Sequence, residues 1–311
     1  MSELRNISIN GCIGAGKSMV SKELEAKGYQ TITAGSLFRQ YAKEHNISIE
    51  EAISGHKEID DAIDNNIAQI GKEQNGIVFD SRMAWHFVPD SFKVFIYVDP
   101  DIAAERVFSA KRETESFASV EECKSHIFSR QLTELDNYQK MYGVDYMDSS
   151  NYDLIIDSTY ATPKEVAEKI VECMNKMHAR FQMNPRSLYP TQSVRDLSGD
   201  VLDQYIDGKL PAGSINISCY NGYFGVTDGH HRFLAAAVNK QTFIGAEYDP
   251  APERSRIMPK TEIYNYEDVA GFYYNRYPEF GPKDCLVEFC NENIDADERN
   301  ADINVEIGIE R

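Results

Sequence analysis

The sequence lacks closely paired cysteines, and this absence is the first constraint on its chemistry. Its six cysteines are scattered along the chain, at Cys12, Cys123, Cys173, Cys219, Cys285 and Cys290. No two of them form a CxxC pair, which argues for reduced thiols rather than a disulfide framework or a zinc site. Cys285 and Cys290 lie closer together than the others and are only a weak exception to this scattering.

Long apolar runs are also lacking, since no stretch approaches the ~20 residues that cross a bilayer. The segment from Met1 to Asn6 does not contain the apolar core of a secretory signal. We therefore expect a cytoplasmic protein that has no membrane segment.

Positive charge is scarce, with 32 Lys and Arg residues against 50 Asp and Glu residues and a formal net charge of -18. Such a surface repels polyanions, so nucleic-acid binding is disfavoured unless cations gather in one cleft. A small anionic substrate fits this composition better. The acidic segment 291–311 is expected to be a solvated tail.

The length of 311 residues predicts two domains. Strand and helix patterns alternate over residues 1–181, and the last helix is expected to reach about Phe181. This alternation predicts an α/β fold, in which a parallel sheet has helices on both faces and binds ligands at the carboxyl ends of its strands. Residues 182–192 contain two prolines and no periodicity, which predicts a linker. Short strands and a helix predict a smaller α+β domain over residues 193–290.

A glycine-rich segment, GCIGAGKS, lies between a predicted strand and a predicted helix, which is the context of a phosphate-binding loop. Glycines let successive N–H groups face one oxyanion, and the helix N-terminus adds the positive end of its dipole. At this spacing Lys17 reaches the terminal phosphates of ATP, while Ser18 offers its hydroxyl to Mg²⁺. The ATP-binding residues predicted in this segment are Gly11, Gly14, Ala15, Gly16, Lys17 and Ser18.

Two other predicted strand ends carry charged residues. Arg39 follows the second strand and is predicted on the first turn of a helix, where it can hold a second anionic group. Asp80 ends a strand and is a candidate either to position magnesium-bound water or to accept a proton from the acceptor. Arg82 is a candidate to clamp the phosphate of the acceptor bidentately.

Three arginines lie on or beside the segment expected to close over the nucleotide: Arg106, Arg112 and Arg130. Cations at such a place neutralise the charge that develops during phosphoryl transfer. The predicted catalytic residues are Lys17, Asp80, Arg82 and Arg130; Arg112 is a further ATP contact, and Ser18 and Asp80 are the magnesium ligands.

With these motifs in view, residues 5–180 resemble the cytidylate kinase-like group of nucleoside monophosphate kinases, in particular its compact archaeal form. The resemblance rests on GCIGAGKS, TAGSLFR, VFDSRMAWHF, the helix near Arg130, and YGVD followed by NYDLIID. It implies a P-loop kinase fold. One departure is Asn137, which stands where related kinases often carry an arginine, so the acceptor need not be cytidine monophosphate.

The same resemblance implies roles for individual residues. Arg39 and Arg82 would hold the phosphate of the acceptor. Lys17, Ser18 and the lid arginines would serve the donor, with ATP and Mg²⁺ as the implied cofactors.

The segment VTDGHHRF, from Val226 to Phe233, combines a strand end, a glycine turn and a helix start with imidazole and guanidinium donors. Residues 190–249 resemble the ParB and sulfiredoxin-like superfamily, in particular members with a DGHHR segment that act on nucleotides or phosphorylate free serine. The resemblance implies phosphate contacts by the histidines and the arginine, with the aspartate orienting a histidine or a metal. The implied phosphate-binding residues are Asp228, Gly229, His230, His231 and Arg232.

The predicted function is transfer of the terminal phosphoryl group of ATP to a nucleoside monophosphate or a related nucleotide. One alternative keeps the kinase and changes the acceptor to a hydroxyl group, such as that of 5-hydroxymethyluracil in phage-type DNA, because Asp80 beside Arg82 also suits deprotonation of an alcohol. A second alternative is a nucleotide-sensing binding protein that binds ATP tightly and turns it over slowly.

Overall fold

The structure is a computed structural model that describes residues 4–53, 57–110, 117–190, 198–220 and 223–248. The chain divides into two compact units, residues 1–184 and residues 185–311. Within the described ranges, no helix has both the length and the apolar character needed to span a membrane.

The first unit alternates strands and helices along the chain. Its strands are β1 (Ile7–Gly11), β2 (Gln30–Thr33), β3 (Ile77–Asp80), β4 (Phe92–Tyr97), β5 (Leu154–Asp157) and β6 (Phe181–Met183). Its helices are α1 (Lys17–Glu25), α2 (Ala34–His45), α3 (Ile49–Ile53), α4 (Lys57–Glu73), α5 (Ala84–Phe87), α6 (Pro100–Ser109), α7 (Val120–Tyr142) and α8 (Pro163–Asn175). A short 3₁₀ turn covers Ser149–Asn151.

The strands of the first unit form a parallel sheet in the order β2-β3-β1-β4-β5-β6. In the pairing of β1 with β3, Ile9 lies opposite Asp80. The two strands run in the same direction, so their carboxyl ends lie side by side, and each end is followed by a segment rich in candidate site residues. The predicted parallel α/β fold is confirmed.

Capping residues explain where the two C-terminal helices of this unit begin. The hydroxyl of Ser119 accepts a hydrogen bond from the backbone N–H of Glu122 at the start of α7. Thr162 and Glu165 form a reciprocal capping box at the start of α8, and Pro163 occupies the first helical position. The sequence pattern predicts both helix starts, and the structure confirms them.

Two apolar clusters support the helices around the site. One packs α2 and α4 against β3 through Leu37, Ile63 and Phe79. The other joins the glycine-rich loop to α6 and α7, because Ile13 packs with Val107 and Ile127. The apolar cluster that positions the long helix α7 therefore also supports the loop.

The predicted end of the first domain is wrong in detail. Helix α8 ends at Asn175 and does not reach Phe181, and part of the predicted linker 182–192 is strand. Phe181 and Met183 have exposed fractions of only 2% and 0%, and β6 pairs in parallel with β5. Apolar burial along the sheet edge therefore extends the unit beyond the predicted boundary.

The second unit has a mixed sheet in its described part. Its elements are β7 (Tyr189–Pro190), α9 (Gly199–Ile206), β8 (Ile215–Tyr220), β9 (Tyr223–Asp228), α10 (His230–Val238) and β10 (Ile244–Tyr248). The strand β8 pairs antiparallel with β9 and parallel with β10, while β7 pairs parallel with β9. The strand β7 also lies in the segment predicted as linker. The predicted acidic tail and the predicted domain boundary at 290 lie outside the described residues.

Candidate active site

The glycine-rich loop joins β1 to α1 and takes a shape that depends on its glycines. Gly14 and Gly16 adopt positive φ angles of 82° and 79°, a region that side chains disfavour. No side chain caps the N-terminus of α1. Among the described residues, none accepts a hydrogen bond from the backbone N–H groups of Gly14, Gly16 or Lys17. The loop therefore offers backbone donors and the positive end of a helix dipole to an anion.

Lys17 lies at the start of α1 and folds back over the loop. Its Nζ donates to the carbonyl oxygens of Gly11 and Cys12, each at 3.0 Å. Burial and, to a smaller extent, the positive charge of Arg82 lower the pKa of Lys17 to about 8, while Asp80 acts in the opposite direction. The ammonium group is therefore held within the loop, among the backbone donors.

Cys12 is the one cysteine in the loop, and its environment opposes thiolate formation. A nearby helix N-terminus commonly lowers the pKa of a thiol. Here burial raises the pKa of Cys12, although Lys17 and Arg82 act in the opposite direction. Cys12 is consequently a half-buried structural thiol of the loop.

Arg106 of α6 supports the loop from outside. Its guanidinium donates to the carbonyl oxygens of Gly14 at 3.3 Å, Ser158 at 2.8 Å and Thr159 at 2.9 Å. Burial lowers its pKa. The sequence predicts Arg106 as a lid cation, but the structure uses its donors to tie the loop to the segment that follows β5.

Asp80 and Arg82 lie beside the loop because β3 pairs with β1. Burial raises the pKa of Asp80, and Lys17 and then Arg82 lower it. No described residue donates a hydrogen bond to its carboxylate. The structure thus brings together Lys17, Asp80 and Arg82, as the sequence predicts.

Arg82 is held by groups from three segments. Its Nη1 donates to the carbonyl oxygen of Gly11, and more weakly to Asn10 Oδ1 at 3.4 Å. Its Nη2 lies 3.1 Å from Glu134 Oε2 on α7, and its guanidinium carbon lies 5.9 Å from the ring centre of Tyr146. The side chain consequently links the phosphate-binding loop to the long helix.

Arg130 lies one helical turn before Glu134 on α7. Its Nε donates to Glu134 Oε1 at 3.1 Å, so one carboxylate contacts two arginines, Arg82 and Arg130. No sequence motif marks Glu134. The only signal for it in the sequence is its i,i+4 spacing from Arg130, which is common on solvated helix surfaces.

Arg39, another predicted arginine, does not contact this carboxylate. Arg39 lies on the second turn of α2, because that helix begins at Ala34, and it is exposed. A Cβ atom on Gly35 would lie 3.5 Å from Arg39 Nη1, so the guanidinium lies over the N-terminal turn of α2. Arg112 lies outside the described residues.

An acidic and aromatic cluster joins α4 to the C-terminal part of α7. The hydroxyl of Tyr142 donates to Asp64 Oδ2 at 2.7 Å. The ring of Tyr142 lies 5.6 Å from Phe87 and 6.1 Å from Tyr138, measured between ring centres. Burial, with smaller contributions from Asp60 and Asp61, raises the pKa of Asp64 to about 6. The sequence analysis does not identify this cluster, because its members are far apart in the chain.

The oxygen donors predicted for Mg²⁺ are Ser18 and Asp80. Ser18 is exposed on the first turn of α1, and its hydroxyl has no hydrogen-bond partner among the described residues. A hydroxyl and a carboxylate are hard oxygen ligands of the kind Mg²⁺ prefers, and a site with so few protein ligands suits an ion that is also held by substrate phosphates. No group of three or more His, Cys, Asp or Glu side chains within the described ranges forms a metal cluster.

In the second unit, the predicted phosphate-binding residues lie at the turn between β9 and α10. Gly229 adopts φ 87° at the N-cap, without a side-chain cap. His230 is buried, and this burial lowers its pKa to about 4, so its imidazole is neutral near pH 7. Arg232 Nη2 lies 3.7 Å from Asp228 Oδ2. Arg232 Nε and His231 Nε2 are buried and find no hydrogen-bond partner in the described part of the chain.

Together, the parallel sheet order and the loop with Lys17 define the first unit as a P-loop kinase domain. The family model described as "AAA domain" matches residues 7–126. A cytidylate kinase of Thermoplasma volcanium is 30% identical over 190 residues, which cover 58% of this chain and 97% of that protein. A cytidylate kinase of Pyrococcus horikoshii is 36% identical over 165 residues, which cover 51% of this chain and 83% of that protein. Through its first unit the chain belongs to the cytidylate kinase family, and it is a phosphotransferase.

Two other similarities are more limited. An S-adenosylmethionine-dependent nucleotide dehydratase of Lacinutrix mariniflava is 32% identical over 178 residues, but these cover only 36% of that longer protein and 56% of this chain. The crystal structure of a shikimate kinase from Bacteroides thetaiotaomicron superposes with a TM-score of 0.42 at 15% identity, over 55% of this chain and 99% of that one.

Proposed function

We propose that the chain transfers the terminal phosphoryl group of ATP to a nucleoside monophosphate or a related nucleotide. The observation that carries this proposal is the contact between Arg82 and the phosphate-binding loop, at the carbonyl oxygen of Gly11. It joins a loop suited to the donor phosphates with a guanidinium suited to an acceptor phosphate. The cytidylate kinases that match the first unit, and the nucleotide dehydratase that shares it, support a nucleotide acceptor.

In this proposal the residues of the loop bind the donor. The backbone N–H groups of the loop contact the phosphate oxygens, and Lys17 adds a positive charge that is fully present below its pKa of about 8. Ser18 and Asp80 would hold Mg²⁺, which supplies further neutralisation of phosphate charge when it is bound.

The residues at the other side of the site align the acceptor. Arg82 would contact the acceptor phosphate from the end of β3, and Arg39 would reach it from the exposed face of α2. Arg130, on α7, would stabilise negative charge on the transferred group, and Arg112 would contact ATP. Fixed orientation of the two substrates is the main contribution that such a site makes to the rate.

One observation favours the alternative of a hydroxyl acceptor. Burial raises the pKa of Asp80, and no described residue donates a hydrogen bond to its carboxylate. A carboxylate in this state is a better proton acceptor than an exposed one. A panel of acceptors separates the two possibilities.

The test measures ADP formation from ATP and Mg²⁺ with a panel of nucleoside and deoxynucleoside monophosphates, free serine and hydroxymethyluracil-containing DNA. We expect stimulation by a monophosphate and its loss in Lys17→Ala. In Arg82→Ala the KM for the acceptor should rise by about tenfold or more, with the KM for ATP changed far less. The exposed Arg180, changed to Ala, is the matched control. Stimulation by DNA or serine alone would contradict the nucleotide acceptor, and no stimulation would favour the sensor.

For the second unit we propose a ParB-like site for a phosphorylated ligand at the turn between β9 and α10. Its support is the uncapped helix N-terminus at Gly229, together with the unpartnered buried Nε of Arg232. His231 would add an N–H donor, and Asp228 would orient Arg232, whereas buried His230 would contribute no charge.

This second site is tested in the full chain with Arg39→Ala and Arg82→Ala together, which remove the proposed acceptor contacts of the first site. Titration calorimetry with nucleoside monophosphates and phosphoserine should show binding that Arg232→Ala weakens by about tenfold or more. Equal affinity in the two proteins would contradict the assignment.

A further inference from the structure

Glu134 is the carboxylate around which the cations of the first unit are arranged. Its Oε2 lies 3.1 Å from Arg82 Nη2, and its Oε1 accepts from Arg130 Nε at 3.1 Å. Each carboxylate oxygen therefore contacts a different guanidinium. One of these arginines comes from the end of β3 and the other from α7.

The burial of Glu134 distinguishes it from an ordinary surface ion pair. The side chains of Glu134 and Arg82 are each 19% exposed. On the same helix, Asp136 and Lys140 form an i,i+4 pair with side-chain exposures of 57% and 71%. Exposed pairs contribute little and are screened by salt, whereas the carboxylate of Glu134 and the guanidinium of Arg82 are mostly shielded from solvent. Arg130, whose side chain is 44% exposed, is the more weakly held of the two arginines.

The charges around Glu134 explain why an acid is needed there. Arg82 lowers the pKa of Lys17, which shows that these two cations repel each other, and Glu134 acts in the opposite direction. Asp80, at the end of β3, supplies a second negative charge near Lys17 and Arg82. Among the described residues, Glu134 is the carboxylate that contacts both Arg82 and Arg130, so its negative charge offsets the repulsion between them.

We propose that Glu134 is a positioning residue for phosphoryl transfer, which holds the guanidinium groups of Arg82 and Arg130 side by side next to the phosphate-binding loop. The inference rests on the proposed function, because it gives both arginines a role at the phosphates. Glu134 itself makes no bond to substrate. Arginine side chains have many rotamers, so a carboxylate that fixes two of them removes an entropic cost from the reacting complex.

The test compares kcat and KM for wild type, Glu134→Gln and Glu134→Asp, with Asp136→Asn as the matched control on α7. The readout is ADP formation with the best acceptor found, water included. We expect Glu134→Gln to lower kcat by about 10- to 100-fold, with the KM for ATP within about threefold of wild type. Glu134→Asp keeps the charge but shortens the reach, so its kcat should be intermediate. Asp136→Asn should match wild type.

A double-mutant comparison shows whether Glu134 acts through the arginines. In an Arg130→Ala background, Glu134→Gln should lower kcat by a clearly smaller factor than it does alone. The same factor in both backgrounds would overturn the proposal, as would a kcat within twofold of wild type in Glu134→Gln alone. If Glu134→Gln lowers the melting temperature by more than ~5 °C, its loss of activity could come from unfolding. The kcat of Glu134→Asp is then the test, and a wild-type kcat in that variant overturns the proposal. If wild type uses only water or a hydroxyl group as acceptor, the proposed function is wrong, but the kcat values of the variants still test the role of Glu134.

Discussion

At the scale of single residues, burial moves the pKa values of two groups in the first unit toward neutral pH. Lys17 and Asp64 show the two directions of this effect. Burial lowers the pKa of the amine to about 8 and raises that of the carboxyl group to about 6. Both values lie within the range of ordinary assays, so both groups should leave a measurable pH dependence.

For Lys17 we predict proton uptake when ATP binds near pH 8. In the free protein about half of the Lys17 side chains are neutral at that pH, and phosphate favours the charged form, so up to about half a proton should be taken up. Calorimetry in two buffers of different ionisation enthalpy measures this number. The exposed Lys22, changed to Met, is the control and should keep the uptake, whereas Lys17→Arg should lose it. Equal binding enthalpies in both buffers for wild type would contradict the assignment.

For Asp64 we predict that Asp64→Asn stabilises the first unit at pH 7.5 by about 1–2 kcal/mol. The folded pKa lies above the unfolded one, so the folded state binds the extra proton between about pH 6 and pH 4, and wild type gains stability as the pH falls through that window. The difference from Asp64→Asn should therefore shrink below pH 6. Denaturant unfolding at several pH values measures it, with Asp90→Asn, at an exposed position away from Asp64, as control. A difference that does not change with pH would show that Asp64 is not the titrating group.

At the scale of elements, the phosphate-binding loop is shaped by what packs against it. A Cβ on Gly14 would lie 2.9 Å from the carbonyl oxygen of Ala103 in α6, while a Cβ on Gly16 would meet nothing within 4 Å. Both glycines have positive φ. They therefore share the conformational cost of substitution and differ in packing.

We predict that Gly14→Ala destabilises the first unit more than Gly16→Ala. The positive φ costs each variant about 1–2 kcal/mol, and the clash with α6 adds about 1–3 kcal/mol for Gly14 alone. Unfolding free energies of the two variants give the comparison directly. Equal destabilisation would mean that α6 yields without cost and that the loop is not held from that side.

Local sequence signals predict the beginnings of elements better than their ends. The capping residues Ser119 and Thr162 allow the starts of α7 and α8 to be predicted, because a cap is read from neighbouring residues. The end of α8 and the strand β6 escape prediction. Their position depends on the pairing of Phe181 with β5, which is a contact between distant segments.

The residues of the candidate site also differ in whether local sequence signals predict them. Lys17, Asp80 and Arg82 can be predicted, since a motif or a strand end marks each of them. Glu134 and the anchoring role of Arg106 cannot, because each depends on which helix packs against the loop. Arginines look alike in a sequence, whether they tie a loop in place or remain open to a ligand, as Arg39 does.

At the scale of the whole molecule, the chain consists of two units whose boundary follows Asn184. The last strand of the first unit is fixed by apolar burial and by the backbone N–H of Asn184, which donates to Asp157 Oδ2 at 3.1 Å. Asp157 is fully buried at the end of β5. Within the first unit, Asp157 therefore links the last strand to the segment after β5, which also supports the phosphate-binding loop through Arg106.

We predict that a fragment of residues 1–184 retains phosphoryl transfer, whereas a fragment of residues 1–180 is markedly less stable. The shorter fragment lacks β6 and exposes the apolar edge of β5 that Phe181 and Met183 cover. Melting temperatures of the two fragments test this. Equal melting temperatures would show that β6 is not part of the first unit's core.

The central claim is that the phosphoryl group of ATP is delivered to a nucleotide, and label transfer tests it most directly. ATP labelled in its terminal phosphate is incubated with the full chain, Mg²⁺ and a mixture of nucleoside monophosphates, and the products are separated. We predict that the label appears in a nucleoside diphosphate in wild type and that this product is absent in Lys17→Ala. Label found only in inorganic phosphate, in DNA or serine offered in parallel, or retained in ATP would contradict the claim.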